Sequence, residues 1–330
     1  MSPAKLALII PAWKTSFLQK ALESVERQTG TGFSVYIFDD AGPAGISEIV
    51  SPFLQRNADW RYHRFSENMG MDNLSAHWNR CIQKTTEDWV WLFSDDDEME
   101  ADCIPAFFRA IESFPHHQVY RFGLSIMDEK GQISGGNASS PEIISGFEFG
   151  RMRFFREFSS AAVEFIFARS AFDSVGGFPQ FPAAWCADDA AWISFSGADG
   201  IRFIPGPLVR WRFSPAGISG SGGAWTEKKT KAAILFICWF NNRFPVESRL
   251  ASFRAEQVIW LRLQLVHQDY LPGFAEAMGM VISLKIPGIS SKLRAFQDLY
   301  CLSYVYACKV VKKVPPKGFR LWLSQILPAF

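Results

Sequence analysis

Seven aspartates in three short runs are the residues of this chain best suited to chemistry: Asp39-Asp40, Asp95-Asp96-Asp97 and Asp188-Asp189. The first two runs follow apolar segments of β type, Val35-Tyr36-Ile37-Phe38 and Trp89-Val90-Trp91-Leu92-Phe93. Carboxylates gathered at the edge of one sheet repel one another unless positive charge lies between them. A divalent cation with a phosphate-bearing ligand would supply that charge, and hard carboxylate oxygens are what Mg²⁺ or Mn²⁺ takes. Each run also has a plainer reading. Asp is a favoured helix N-cap, which would explain the triple, and an Asp pair can start a turn by bonding its own backbone. Asp188-Asp189 precede Ala190-Ala191-Trp192-Ile193, where the first turn of a helix favours negative charge.

The elements around these runs decide what they can reach. Lys5 to Ile10 is a short apolar β run closed by Pro11, and Phe17 to Gln28 places Phe17, Leu18, Ala21, Leu22 and Val25 at helical spacing. The pattern repeats: strand Ser34 to Phe38, helix Ile46 to Leu54, strand Trp60 to Phe65, helix Leu74 to Cys81, strand Trp89 to Phe93. Such alternation predicts an α/β fold, a mostly parallel sheet covered by helices on both faces. Ligands of such sheets bind beyond the carboxyl ends of the strands, where both acidic runs fall. From about residue 120 the pattern is mixed, with strands expected at Val119 to Ile126, Ala162 to Ala168, Ile201 to Ile204 and Val209 to Phe213, and a polar loop from Lys130 to Pro141. After the Gly-rich segment Gly217 to Gly223 the chain turns helical, with helices expected at 232–240, 258–266 and 296–311. A boundary near Trp225 separates a domain of residues 1–225 from a helical, basic region of residues 226–330.

The 330 residues, 48% hydrophobic and 20% charged, exclude disordered, collagen-like and coiled-coil classes. The net charge of +1 hides an asymmetry: residues 1–227 carry 19 basic against 28 acidic side chains, and residues 228–330 carry 15 against 5. The six cysteines contain no C-x-x-C pair and read as reduced, mostly buried thiols. Together with an N-terminal apolar run too short for a signal peptide, they make the cytoplasm the expected location. No apolar stretch reaches the length of a membrane span. The five histidines lack metal-ligand spacing, and His116-His117 reads as an exposed turn. Gly176-Gly177 reads as a helix C-terminus with a left-handed glycine. The Gly217 to Gly223 segment lacks the phosphate-cradling glycine patterns.

Taken in order, a set of short motifs resembles family 2 glycosyltransferases. They are Leu8-Ile9-Ile10-Pro11-Ala12-Trp13; Leu18 with Ala21-Leu22-Glu23-Ser24-Val25 and Gln28-Thr29; Asp39-Asp40; Asn68-Met69-Gly70 and Asn79; Leu92-Phe93-Ser94-Asp95-Asp96-Asp97; Arg169 with Val175-Gly176-Gly177-Phe178; and Asp188-Asp189. The resemblance covers roughly residues 4 to 215 and implies a nucleotide-diphospho-sugar-binding fold of the GT-A type.

The resemblance further implies a role for each run. Asp40 contacts the nucleobase with Asp39 beside it, while Pro11, Ala12, Trp13 and Asn68 line the nucleotide pocket. Asp95-Asp96-Asp97 corresponds to the family's D-x-D, with Asp95 toward the ribose and Asp96, with Asp97, toward a Mn²⁺ or Mg²⁺ that bridges the donor diphosphate. Asp189 is the candidate general base in a single inverting displacement, and Trp185 and Asp188 are candidates for the acceptor side. The chain departs from the pattern at Ser94, usually Asp, at Ala101, usually Pro, and at Asp188, usually Glu, so which Asp holds the metal stays open.

The expected partners are a nucleotide-diphospho-sugar donor and a glycan or lipid-linked saccharide acceptor, as in cell-surface polysaccharide synthesis. From Lys285 onward there are eight basic residues and one acidic one, Asp298. Residues 285–330 are thus a candidate surface for peripheral contact with anionic lipid at the inner face of the cell membrane. No nucleic-acid partner is expected, because the basic tail carries no recognised binding motif. Two other readings compete. A sugar-phosphate nucleotidyltransferase would need a Gly-rich basic triphosphate loop near the first strand, which is missing, and an inactive binding module would have little reason to retain all three acidic runs.

Overall fold

The computed structural model describes residues 4–215, 217–220, 224–246 and seven positions between 253 and 264. In chain order the elements are β1 (Leu6–Ala12), α1 (Leu18–Glu26), β2 (Phe33–Asp39), α2 (Ile46–Arg56), β3 (Trp60–Arg64), α3 (Gly70–Ile82), β4 (Trp89–Leu92), β5 (Glu98–Met99) and α4 (Cys103–Ser113). They continue as β6 (Val119–Met127), β7 (Ile133–Asn137), β8 (Ile143–Ile144), α5 (Gly146–Phe155), β9 (Phe165–Ala168), α6 (Arg169–Val175), α7 (Ala187–Phe195), β10 (Ile201–Arg212) and α8 (Ala224–Arg243). The chain divides into two compact units, residues 1–150 with 158–220, and residues 151–157 with 221–330.

One mixed sheet runs through the first unit in the order β3-β2-β1-β4-β9-β6-β10-β5. β1 pairs in parallel with both β2 and β4, and β6 in parallel with β10. β9 lies antiparallel to β4 and to β6, joining the two parallel halves. Two antiparallel neighbours restore the direction, so β1, β2, β4, β6 and β10 all end at the same edge. The sheet is therefore less uniformly parallel than the early βα alternation suggests, since the alternation breaks after β6.

Apolar residues on both faces make this sheet the core. Leu6, Leu8 and Ile10 of β1 alternate with Ala7 and Ile9, and all five are buried. The first set packs with Leu18, Leu22 and Val25 of α1 and Val50 and Phe53 of α2. Trp91 of β4 stacks on Phe122 of β6 at 5.3 Å, and its indole N–H donates to the Val163 carbonyl, so the ring is buried without leaving a polar atom unpaired.

Four local expectations need correction. The polar stretch 130–141 contains β7, an edge strand on β6 whose largely exposed Ile-Ser-Gly-Gly-Asn sequence carries no apolar alternation to announce it. Ala162–Glu164 forms a 3₁₀ turn, and the strand starts only at Phe165. The two strands expected at 201–204 and 209–213 are one, β10, interrupted by a register shift between Ile204 and Leu208, where Pro205 and Pro207 cannot donate to the ladder. His116 is exposed, but His117 is buried with its ring edge-on to Tyr120. The expected C-cap is present, with Gly176 left-handed at φ 79° after α6.

In the second unit α8, which contains the helix expected at 232–240, buries Ala232, Ala233, Phe236, Ile237 and Phe240. The Phe154 ring lies 5.2 Å from Phe240 and 5.3 Å from Trp260. The basic segment 285–330, the helix expected at 296–311, Cys301, Cys308 and His267 lie outside the described residues. Of the cysteines within them, Cys81, Cys103 and Cys186 are buried and Cys238 is half-buried, and none is in a disulfide. Among the described residues no helix is long and apolar enough to cross a membrane.

Candidate functional site

The ends of β1, β2 and β4 bring the first two acidic runs to one place. Ala12 of β1 stands opposite Asp39 of β2, and the Asp40 amide donates to the Ala12 carbonyl at 2.9 Å. On the other side β1 pairs with β4, so Pro11-Ala12-Trp13 passes between Asp39-Asp40 and Asp95-Asp96-Asp97.

The three carboxylates after β4 face different partners. Asp95 is buried, and its Oδ2 accepts the backbone amides of both Trp13 and Lys14 at 2.7 Å, fastening the loop after β1 to the loop after β4. Asp97 is buried on the opposite side, where its Oδ1 accepts the Arg212 amide from the end of β10 at 2.6 Å. Asp96 between them is the most accessible of the three. Its Oδ1 accepts the Ser94 hydroxyl at 2.5 Å and its Oδ2 the Lys14 ammonium at 2.7 Å. The triple is therefore not a helix cap: β5 intervenes, and the residue preceding α4 is Asp102.

Electrostatics follow from this division. Burial, reinforced by the neighbouring Asp96 charge, pushes the Asp95 carboxyl up to about 6. The same two causes raise Asp97 well above the usual carboxylate range. Burial alone would lower the Lys14 ammonium, but Asp96, Asp95 and Asp97 outweigh it, and the shift is upward, keeping the charge in place.

Asp39 and Asp40 are turned into the protein, at 0% and 2% exposure. Asp39 accepts the Gly42 amide at 2.8 Å, the self-bonding turn expected of an Asp pair, and also the Tyr62 hydroxyl at 2.6 Å and the Arg64 guanidinium at 2.5 Å. Burial, and then the bond to Asp39, pushes the Tyr62 phenol up to about 12. Asp40 accepts Asn68 Nδ2 at 3.0 Å, the Met69 amide at 3.0 Å, the Gly70 amide at 2.7 Å and the Arg80 guanidinium. It thereby holds the start of α3, an N-terminus that favours a negative charge. A Cβ at Gly70 would stand 2.7 Å from Asp40 Oδ2, so the close approach requires glycine. His77 Nδ1 lies 3.2 Å from Asp40 and accepts Arg80 Nε at 3.0 Å. Burial first, then the Arg80 charge, hold its imidazole down at about 4 against the opposing pull of Asp40. The oxygens that family resemblance directs toward a nucleobase are thus engaged in ordering the loops on either side of Trp13.

Several other motif residues prove to be fasteners. Gln28 donates to the Glu100 carbonyl at 2.8 Å and accepts the Ile104 amide at 3.0 Å, tying α1 to the segment after the acidic triple. Asn79 of α3 bonds both the N–H and the C=O of Phe178, at 2.9 and 3.0 Å. Arg169 is spent on the Glu87 and Ile82 carbonyls and the Thr85 hydroxyl.

Asp188 and Asp189 lie in the first turn of α7, as expected, with Asp189 2% exposed and Asp188 half-buried. α7 is anchored by Trp192, which stacks on Phe165 at 4.6 Å, and by Phe195, 5.1 Å from Phe167. The segment leading to it passes Gln180, which accepts Asn73 of α3 at 3.0 Å. α3 thus connects the Asp40 network with the turn that carries Trp185 and Asp188-Asp189.

Sequence alone does not mark Lys14 or Arg212 as residues of the site. Lys14 follows Trp13 directly, but nothing in its type distinguishes it from a surface lysine. Arg212 is buried, donates to the Asp96 carbonyl at 2.9 Å and the Asp128 carbonyl at 3.0 Å, pairs with Glu98, and covers the Phe17 ring at 4.3 Å. Only the return of β10 to the sheet brings it there.

Among the described residues no three His, Cys, Asp or Glu side chains gather as a metal cluster. Asp96 offers one accessible hard carboxylate, and Mg²⁺ in particular is commonly held by one or two carboxylates, phosphate oxygens and water. The donor set fits a cation that arrives with a phosphate-bearing ligand.

Comparison with solved structures places the architecture among GT-A glycosyltransferases. The chain is similar to S. aureus TarS 1-349 in complex with UDP-GlcNAc, with a TM-score of 0.66, 13% identity and coverage of 94% of this chain and 93% of that one. It is also similar to the mannosyltransferase PcManGT from Pyrobaculum calidifontis in complex with GDP-Man and Mn²⁺, with a TM-score of 0.52, 13% identity and coverage of 98% and 86%. A search of curated proteins finds none that matches the sequence. The family model described as glycosyl transferase family 2 matches residues 7–176. That span exceeds half of the chain and runs from β1 through both strand-end acidic runs to the cap of α6, so the chain belongs to glycosyl transferase family 2.

Proposed function

We propose that this chain transfers a sugar from a nucleotide-diphospho-sugar to an acceptor hydroxyl by a single, inverting displacement that depends on a divalent cation. The observation that carries the reading is the fastening of the Asp95–Asp97 loop onto the Pro11–Lys14 loop, which leaves Asp96 as the accessible carboxylate between two buried ones. The TarS and PcManGT structures, which hold UDP-GlcNAc and GDP-Man with Mn²⁺, support a donor of the same class.

In this reading Pro11, Ala12 and Trp13, the last exposed at the edge, receive the nucleoside, with Asn68, Asp39 and Asp40 ordering the loops on its far side and Asp95 on the ribose side. Asp96, with Asp97 behind it, would hold Mn²⁺ or Mg²⁺. The bound cation would neutralise charge developing on the leaving diphosphate. The acceptor oxygen forms its bond to the anomeric carbon as the bond from that carbon to the diphosphate oxygen breaks. The electron pair leaves with the nucleoside diphosphate, and the hydroxyl proton passes to Asp189. Trp185 and Asp188, beside Asp189, position an acceptor that is a glycan or lipid-linked saccharide.

Calorimetric titration of UDP, GDP, CDP and dTDP, with and without Mn²⁺ or Mg²⁺, tests the donor site. One nucleotide should bind in a metal-dependent way and be weakened by Asp96→Asn. Failure of all four to bind folded protein would sink the proposal.

A further inference from the structure

We propose that Lys14 and the divalent cation exchange on Oδ2 of Asp96, and that the displaced Lys14 ammonium then binds the donor diphosphate. The inference rests on the donor-site reading above and adds to it a residue that controls when the metal binds.

Three observations carry it. Lys14 Nζ sits 2.7 Å from Asp96 Oδ2, while Oδ1 already takes the Ser94 hydroxyl, so a cation approaching Asp96 meets an ammonium on the remaining oxygen. Asp95 Oδ2 takes two backbone amides and Asp97 Oδ1 one, and both carboxylates are buried, so Asp96 is the carboxylate an arriving cation meets first. The Lys14 backbone is pinned by the hydrogen bond its N–H donates to Asp95 Oδ2, yet its side chain is 34% exposed, against 13% for Asp96. A flexible four-carbon stem on a fixed backbone can swing its charge by several ångströms without disturbing the loop.

Two positive charges on one oxygen repel strongly. In the nucleotide-free protein Lys14 therefore competes with the metal. A diphosphate relieves the competition by offering the ammonium a second anion, and its own oxygens complete the metal's shell. Metal and nucleotide then bind cooperatively, each tightening the other by the same factor. The cation is thereby recruited with the donor rather than ahead of it.

The test is a titration of Mn²⁺ alone into the full chain, following free Mn²⁺ by electron paramagnetic resonance, repeated with saturating UDP or GDP. Wild type should bind Mn²⁺ weakly alone and more tightly with nucleotide. Lys14→Met and Lys14→Gln should bind Mn²⁺ alone about fivefold more tightly, the size of a typical partly exposed ion pair. The same variants should bind the nucleotide about tenfold less well, the loss of one charge-assisted contact. In an Asp96→Asn background Lys14→Met should leave Mn²⁺ affinity unchanged, so the fivefold gain disappears with the shared oxygen, whereas a general effect of removing a positive charge would persist. Unchanged or weaker Mn²⁺ binding by Lys14→Met, in a protein that still binds nucleotide, overturns the exchange. Absence of nucleotide binding in folded wild type overturns the donor-site reading instead.

Discussion

Asp40→Asn separates two roles that the sequence cannot tell apart, contact with a nucleobase and construction of the loop beside it. The carboxylate is 2% exposed and accepts two donors on each oxygen: Asn68 Nδ2 and the Gly70 amide on Oδ2, the Met69 amide and the Arg80 guanidinium on Oδ1. An asparagine amide has the same shape but turns one of those oxygens into a donor. Whichever way it lies, two partly buried donors face an NH₂ group, and Arg80 loses its counter-charge. Each unsatisfied buried donor costs about 1–3 kcal/mol, and breaking a buried charge pair costs about 3–5 kcal/mol. Arg80 is partly exposed, which puts the cost at the lower end, about 3 kcal/mol. For a unit of this size that corresponds to a fall in midpoint of roughly 6–12 °C. Thermal and urea unfolding of the full chain, followed by Trp fluorescence, reads the first quantity. Nucleotide calorimetry well below the variant's midpoint reads the second. The structure predicts a large loss of stability, with nucleotide affinity in the still-folded variant within about threefold of wild type, the scatter expected of an indirect effect. Wild-type stability with lost nucleotide binding would refute the reasoning and place the Asp40 carboxylate against the base.

Three further outcomes are expected. Asp189→Asn should abolish sugar transfer in a turnover assay while leaving nucleotide binding nearly intact, and near-normal turnover would remove Asp189 from the mechanism. His77, held down at about 4 when folded against about 6.5 unfolded, binds its proton more readily in the unfolded chain. Its contribution is therefore fully present above pH 6.5 and is lost as pH falls toward 4, by up to roughly 3 kcal/mol. His77→Gln should remove that slope, which urea midpoints measured from pH 4 to 7 would reveal. Ala41, left-handed at φ 50° directly after Asp40 and only half-buried, is strained in a conformation suited to glycine. Ala41→Gly should raise stability by about 0.5–1 kcal/mol, or roughly 1–4 °C, and a lower midpoint would show that its methyl group matters more than its backbone.

Local sequence determined the elements and the address of the site. The apolar runs of β1, β2 and β4 are buried on both faces and need helices on each side, so alternation with amphipathic α1 and α2 sufficed to predict a sheet with its ligands at the carboxyl edge. The same logic located Asp39-Asp40 and Asp95-Asp96-Asp97, because a charged residue ending an apolar strand must sit where the strand leaves the core. Sequence could not show which carboxylates face outward. That depends on donors remote in the chain: Arg212 lies 115 residues from Asp97, and the amides of Trp13 and Lys14 lie 82 and 81 residues from Asp95. Nor could it reveal that β9 runs against its neighbours, since a strand of four buried residues has no directional signature of its own. Asp40 and Lys14 show the difference most plainly. One was singled out by its motif and is folded inward as a keystone of the loops, while the other looked like any surface lysine and holds the accessible carboxylate. Residue type sets which interactions are available, but burial and approach decide which are made, and both belong to the tertiary structure.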